Sequence, residues 1–184
     1  MERRRQLQDA AIRVLANAGA RGLTYRAVDA EAQVATGTSS NYFPSRDDLV
    51  AQVFERISER LAPDPATLGE LARRRPSRAL FADYVRDIVA RLTADSEVTL
   101  ALFELRLEAA RNAGVAVQVR RWLEQTFEAD VAFNAEAGLP GGRAEIALFH
   151  YAIDGLLLDR LTVPIDPDTP TDTIVTDLVD GLLG

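Results

Sequence analysis

The chain has 184 residues, 47 % hydrophobic and 27 % charged, with a formal net charge of −7 and no cysteine. That composition describes a folded globular protein with material for one good core or two small ones, and it excludes a disulfide framework, a thiolate metal site and a thiol nucleophile. No apolar run approaches the ~20 residues of a membrane span, and the Arg3-Arg4-Arg5 start is followed by no signal-peptide core, so a cytoplasmic protein without membrane contact is expected.

The charge is unevenly spread. Residues 1–49 carry seven arginines against six acids, whereas the remainder carries 14 against 22, so the acidic excess lies outside the N-terminal quarter. All 21 basic residues are arginine, a usage that codon bias explains better than function.

A first helix is predicted from about Arg3 to Ala18, with Leu7, Ala10, Ala11, Val14, Leu15 and Ala18 at helical spacing and Gly19 and Gly22 as the stop. Its arginine run is either a phosphate or minor-groove contact or a solvated terminus. Thr24 reads as the cap of a second helix starting at Tyr25, stapled by Leu23 and Val28. Gln33 interrupts that helix, and Val34 anchors the chain before a brief middle helix over Thr36–Tyr42. Pro44 ends it by disfavouring helical dihedrals at Phe43. Ser45 caps the next helix, with Asp47 and Asp48 in its first turn, where carboxylates complement the dipole.

The middle segment carries short hydrogen-bonding groups and no aliphatic face, so packing alone does not account for it. A rod of small donors and acceptors, held at its ends by Val34 and Phe43, suits a DNA major groove.

These residues also carry a resemblance. The pattern Thr24-x-Arg26-x-Val28, then Ala32-x-Val34-x-x-Gly37-Thr38-x-x-x-Tyr42-Phe43-x-Ser45-Arg46-x-x-Leu49, resembles the DNA-binding half of the TetR family of bacterial transcriptional regulators. The resemblance implies base-edge contacts from Thr36, Gly37, Thr38 and Asn41, the last suited to adenine. It implies phosphate contacts from Thr24, Arg26, Ser40, Tyr42 and Arg46. Thr24 and Ser45 would serve as helix caps even in a protein that never meets DNA. Three positions depart from the family pattern. Gln33 stands where glycine commonly makes the turn, Ala35 replaces a Ser or Thr cap so that Thr36 takes over, and Ser39 replaces an inward aliphatic residue, which loosens the recognition helix.

The fourth helix is predicted from Arg46 to about Leu61, with Leu49, Val53, Phe54, Ile57 and Leu61 inward. It is long enough to couple a DNA contact at one end to a body at the other. Residues 62–77, with three prolines and Arg73-Arg74-Arg75, form a hinge-like connection with a short helix near Leu68–Leu71. A helix capped by Ser77 follows, burying Leu80, Phe81, Tyr84, Val85, Ile88, Val89 and Leu92. Ser96 caps the next, with Leu100, Phe103, Leu107 and Ala110 inward. A long helix covers Val115 to Ala137 and ends at Gly138, Pro140, Gly141 and Gly142.

The last two helices, over residues 144–161 and 171–183, are apolar on more than one face, which one chain cannot fully cover. They predict a four-helix dimer interface from Phe149, Ile153, Leu157, Leu161, Ile174, Leu178 and Leu182 and their symmetry mates. Phe81, Tyr84, Phe103, Arg106, Trp122, Phe127 and His150 combine apolar walls with a few polar anchors, the composition of a ligand pocket, although aromatics at helical spacing are also plain core. His150, with Asp154 one turn later, is the sole histidine and offers too few partners for a metal. No metal or cofactor is expected.

The expected fold is therefore all-α, with about nine helices. A three-helix helix-turn-helix DNA-binding domain occupies residues 1–46 and a helical bundle for ligand binding and dimerisation occupies residues 47–184. The expected function is a ligand-responsive, homodimeric repressor of a palindromic double-stranded operator, released by a small apolar effector. A helical enzyme fares poorly: there is no cysteine, one histidine, no phosphate loop and no Ser-His-Asp arrangement. A helical interaction protein with a vestigial DNA head is the other alternative.

Overall fold

The computed structural model describes residues 2–184, among which there are ten α-helices and no strand, in keeping with the all-α class. They are α1 (Glu2–Gly22), α2 (Tyr25–Glu31), α3 (Thr38–Tyr42), α4 (Arg46–Arg60), α5 (Pro65–Ala72), α6 (Arg78–Ala94), α7 (Ser96–Ala109), α8 (Ala113–Glu136), α9 (Arg143–Leu161) and α10 (Thr171–Leu182). Helix α5 is longer than the short helix expected near Leu68–Leu71. Asp64 caps it by accepting from the Thr67 amide at 3.0 Å, and Pro65 opens it, where a missing N–H costs nothing.

The chain forms two compact units. The first contains α1 to α4, α7 and the start of α8 through Leu123. Leu7, Ala10, Ala11, Ile12, Val14 and Leu15 of α1 are buried, and α1 packs on α2, α4 and α7. The α1 stop is where the sequence put it, at Gly19, whose φ of 68° breaks the helix; Ala18, expected inside, is exposed. The turn that follows is gripped from two sides. Glu104 of α7 accepts from the Ala20 amide at 3.4 Å, and Arg46 donates to the carbonyls of Leu23 (2.7 Å) and Ala20 (3.0 Å).

Polar side chains tie α4 to its neighbours. Arg56 forks onto Asp9 of α1 at 2.8 and 3.0 Å, and Arg60 forks onto Asp95 at 2.9 and 2.7 Å. Planar pairs of this kind, partly buried, are the stronger sort of ion pair. They also explain why Asp95, which occupies the cap position of α7, makes no capping bond: its carboxylate is taken by Arg60.

The inward face of α7 differs from expectation. Val98, Thr99, Ala101, Leu102 and Leu105 are buried, Leu100 and Phe103 are half-buried, Ala110 is exposed, and Leu107 is 58 % exposed. The helix is apolar on several sides, so periodicity could not choose the face; packing on α1 does.

The second unit contains α5, α6, the rest of α8, α9 and α10. Ser77 caps α6 as expected, its hydroxyl accepting from the Leu80 amide at 3.1 Å. Helix α6 packs on α9 and α10 and buries Leu80, Phe81, Tyr84, Val85 and Val89, together with Ile146, Phe149, Leu156, Leu157, Val175 and Val179. Two residues expected at a dimer interface are thereby corrected. Phe149 is 3 % exposed, its ring tilted against Phe81 with centroids 4.7 Å apart, and Leu157 is 1 % exposed. Both belong to the core of the single chain. The α9 face left open instead carries Leu148 (45 % exposed), Tyr151 (70 %) and Leu158 (51 %) around Gly155. Ile153, Leu161, Ile174, Leu178 and Leu182 are half-buried and keep some surface.

Candidate nucleic-acid interface

Helices α2 and α3 pack together, and their local chemistry follows from the sequence. The Thr24 hydroxyl accepts from the Ala27 amide at 3.1 Å, and both staple residues, Leu23 and Val28, are buried. Helix α2 closes at Ala32, where the Gln6 side chain donates to the last carbonyl at 2.8 Å. Gln33 then adopts φ 55°, the left-handed turn at which glycine is usual. Since that region costs a side-chain-bearing residue roughly 1–2 kcal/mol, Gln33→Gly should stabilise the head by about 1 kcal/mol, after glycine's own entropic cost. Urea denaturation followed by circular dichroism checks this; an unchanged or lower midpoint would contradict it.

The recognition segment is shorter than the expected seven residues. Thr36 and Gly37 form a turn, and the helix runs over the five residues Thr38–Tyr42. The cap is neither Ala35 nor Thr36 but Gly37, at φ 92° and with no side chain to offer. The missing capping oxygen comes from α2. Asp29, 2 % exposed, accepts from the Gly37 amide (2.7 Å), the Ser39 amide (2.7 Å) and the Ser39 hydroxyl (2.5 Å). Ser39 is therefore a fully buried anchor and does not loosen α3.

Burial pushes the Asp29 carboxyl up, but the hydrogen bonds from Ser39, Gly37 and Thr38 outweigh it and hold the group below the ordinary aspartate value. Its contribution to stability is complete above the unfolded-chain pKa of about 3.9 and is lost as pH falls through the lower folded value.

The other end of α3 is fixed by Phe43, which is completely buried and whose carbonyl accepts from the Tyr25 hydroxyl at 2.9 Å. The Arg4 guanidinium lies 5.9 Å from the Tyr42 ring centre and 5.6 Å from that of Phe43, within cation–π range. Of the arginine run at the start of α1, Arg4 is thus engaged inside the head. Val34, expected as the other pin, is half-buried.

With its inner side held, α3 turns its polar side outward. Thr36, Ser40 and Asn41 are exposed, and Gly37, Thr38 and Tyr42 are half-exposed. The Thr38 and Ser40 hydroxyls donate to the carbonyls of Ala35 (2.6 Å) and Gly37 (2.9 Å), which leaves their oxygens as acceptors. Thr24 and Arg26 lie exposed at the start of α2. Arg46 stands apart: two of its nitrogens are committed to the carbonyls of Ala20, at the end of α1, and Leu23, just beyond it. Asp29, Tyr25 and Arg4 have roles here that the sequence reading did not assign.

The residues expected to line a pocket fall into two groups. Phe103, Arg106 and Trp122 belong to the first unit, where the Trp122 indole N–H donates to the Ser58 hydroxyl at 2.9 Å and its ring lies 5.7 Å from that of Phe54. Phe81, Tyr84, Phe127 and His150 belong to the second. There Tyr84 meets Phe133 edge-on at 5.1 Å, Phe127 meets His150 at 5.5 Å, and His150 Nε2 lies 3.0 Å from the Asp130 carboxylate. A cleft of about 220 Å³ in the second unit is lined instead by Arg86, Val89, Ala90, Thr93, Thr171, Asp172 and Val175. Among the described residues no helix is long and apolar enough to cross a membrane, and no cluster of three metal-ligating side chains occurs.

Residues 7–53 match the model of bacterial regulatory proteins of the tetR family, and residues 76–184 match the tetracyclin repressor-like C-terminal domain. No curated protein matches the chain in sequence. Among solved structures, the multidrug binding protein EbrR is 27 % identical in its imidazole complex, with a TM-score of 0.70 over 100 % of this chain and 96 % of that one. Its ethidium complex is 26 % identical, with a TM-score of 0.67 over 99 % of each chain. The TetR-family member SCO1917 from Streptomyces coelicolor A3 is 24 % identical, with a TM-score of 0.72 over 100 % and 99 %. The fatty acid degradation regulator FadR from Bacillus halodurans is 18 % identical, with a TM-score of 0.76 over 100 % and 96 %.

Proposed function

Because the chain belongs to the tetR family of bacterial regulatory proteins, we propose that it represses transcription by binding a palindromic operator as a homodimer and is released by a small apolar effector. It is a ligand-responsive DNA-binding regulator and not an enzyme. Residues 1–46 act as the reading head and residues 47–184 as the ligand-binding and dimerisation body.

One observation carries the DNA reading: a one-turn helix whose inner face is locked by buried contacts and whose outer face is small and polar. Thr36, Gly37, Thr38 and Asn41 address base edges, with Asn41 able to pair with adenine. Ser40, Tyr42, Thr24 and Arg26 address phosphates, which set register without reading sequence. Arg46 contributes charge nearby while its donors hold the α1 turn.

The homodimer is supported by the open apolar face of α9, where Leu148, Tyr151 and Leu158 flank Gly155, and by the half-buried Ile174, Leu178 and Leu182 beside Gly181 on α10. A Cβ on either glycine would meet nothing within 4 Å, so a partner helix has room to approach. Ile153 and Leu161 border the same surface.

Effector binding is supported by the likeness to EbrR, a multidrug binding protein solved with imidazole and with ethidium. Phe81, Tyr84, Phe127 and His150 supply aromatic faces and one polar anchor in the second unit, and Phe103, Arg106 and Trp122 line the first. An effector releases DNA if it binds the two conformations of the protein unequally, which is linkage and needs no further device.

The test is a gel-shift titration of the DNA upstream of the protein's own gene at two salt concentrations. The expected result is a sequence-selective shift that weakens as salt rises, because phosphate contacts release counterions. A folded protein giving no shift, or shifting any duplex equally, would remove the proposal.

A further inference from the structure

A helix of five residues cannot hold its own orientation, since a single turn is below the length at which helices are stable in water. Something outside α3 must aim it. Beyond Phe43 at its far end, hydrocarbon burial does not, because the buried residue within α3 is Ser39, and a Cβ at Gly37 would meet nothing within 4 Å. The firm contact at its amino end is a carboxylate from the preceding helix, bonded to two amides and a hydroxyl.

We infer that Asp29 is a positioning residue for base recognition: reaching from α2, its buried carboxylate clamps Gly37 and Ser39 and so fixes the pose in which α3 and the turn before it present Thr36, Thr38 and Asn41 to a duplex. This rests on the DNA-reading proposal above and says what sets its accuracy. Charge-assisted hydrogen bonds are short and directional, so three of them from one carboxylate define an angle that an apolar contact would leave loose. The arrangement is reciprocal. Ser39 and Gly37 satisfy the buried Asp29 carboxylate, and Asp29 in turn satisfies the Ser39 amide and hydroxyl, which are buried, and the Gly37 amide. The phosphate contacts of Thr24 and Arg26, at the other end of α2, do not depend on this clamp, whereas those of Ser40 and Tyr42 move with α3.

The experiment compares the full-length protein with Asp29→Asn, Asp29→Glu and Ser39→Ala. The probes are the duplex that the wild-type protein enriches from a random pool and a scrambled duplex of equal length, with folding checked by a cooperative thermal transition. Asn keeps the shape but removes the charge and one acceptor; Glu keeps the charge but lengthens the reach. Selectivity, the ratio of the two affinities, should fall at least about tenfold in both Asp29 variants, because affinity for the enriched duplex drops far more than affinity for the scrambled one, which keeps the Thr24 and Arg26 contacts. Ser39→Ala, which leaves the amide contacts in place, should keep most of the selectivity. A clamp that only stabilised the fold would lower the melting temperature and leave the ratio alone. Folded Asp29→Asn or Asp29→Glu protein with wild-type selectivity overturns the inference. A wild-type protein that enriches no sequence removes the DNA-reading proposal, and this inference with it.

Discussion

Phe43→Ala should destabilise the first unit by about 3–5 kcal/mol, the usual cost of emptying a buried phenylalanine site. The side chain is among the largest that are fully buried, and it sits immediately after α3, before Pro44 turns the chain into α4. Its removal opens a cavity in the core of the first unit, and it takes away one of the two rings beneath Arg4. The Tyr25 hydroxyl loses nothing directly, since it donates to the backbone carbonyl of residue 43. With total stabilities of about 5–15 kcal/mol for domains, the variant should stand near the edge of unfolding. Urea denaturation checks the magnitude, with Phe43→Leu as the variant that retains most of the volume. A loss below about 1 kcal/mol would show that the site collapses and that Phe43 does not pin α3.

The second large effect is on assembly. Leu158→Arg places a cation on the exposed α9 face and should turn the proposed homodimer into a folded monomer. The substitution costs the single chain little, because Leu158 is 51 % exposed. Operator affinity should fall by about 10²–10⁴-fold, the range by which linking two binding modules exceeds one. Sedimentation gives the mass, and fluorescence anisotropy on the enriched duplex gives the affinity. Leu157→Arg is the contrasting variant: Leu157 is buried, so it should unfold the second unit and not merely separate two copies. A Leu158→Arg protein that remains dimeric would move the interface off α9.

Much of the fold was legible because its punctuation is local. Thr24, Ser45 and Ser77 cap the helices they were expected to cap, Gly19 stops α1, and Pro44 separates α3 from α4, each through chemistry confined to a few neighbouring residues. At Gln33 the resemblance showed only that glycine is common there; that glutamine itself takes the left-handed turn comes from the structure.

Orientation was less legible. Helices α7 and α9 carry apolar residues on several faces, and which face is buried depends on partners distant in sequence, so Leu107 turned out exposed and Phe149 and Leu157 buried. The capping of α3 was also missed, since Asp29 and Ser39 lie ten residues apart on different helices. A signal was present: each is a polar residue in an inward position, Asp29 beside Val28 and Ser39 where an aliphatic side chain is usual. Two polar residues in facing core positions satisfy one another more readily than either is satisfied alone. Aromatic spacing did not show that Phe81, Tyr84 and Phe127 would each pair with another ring, because Phe149, Phe133 and His150 come from other helices.

Selection from a random pool of duplexes tests the regulator reading most directly. Wild-type protein should enrich an inverted repeat whose half-sites lie about one helical turn apart, 34–36 Å, or a multiple of it, as two copies of α3 in major grooves require. Enrichment of nothing, or of a single half-site by a protein that sediments as a dimer, would contradict the account.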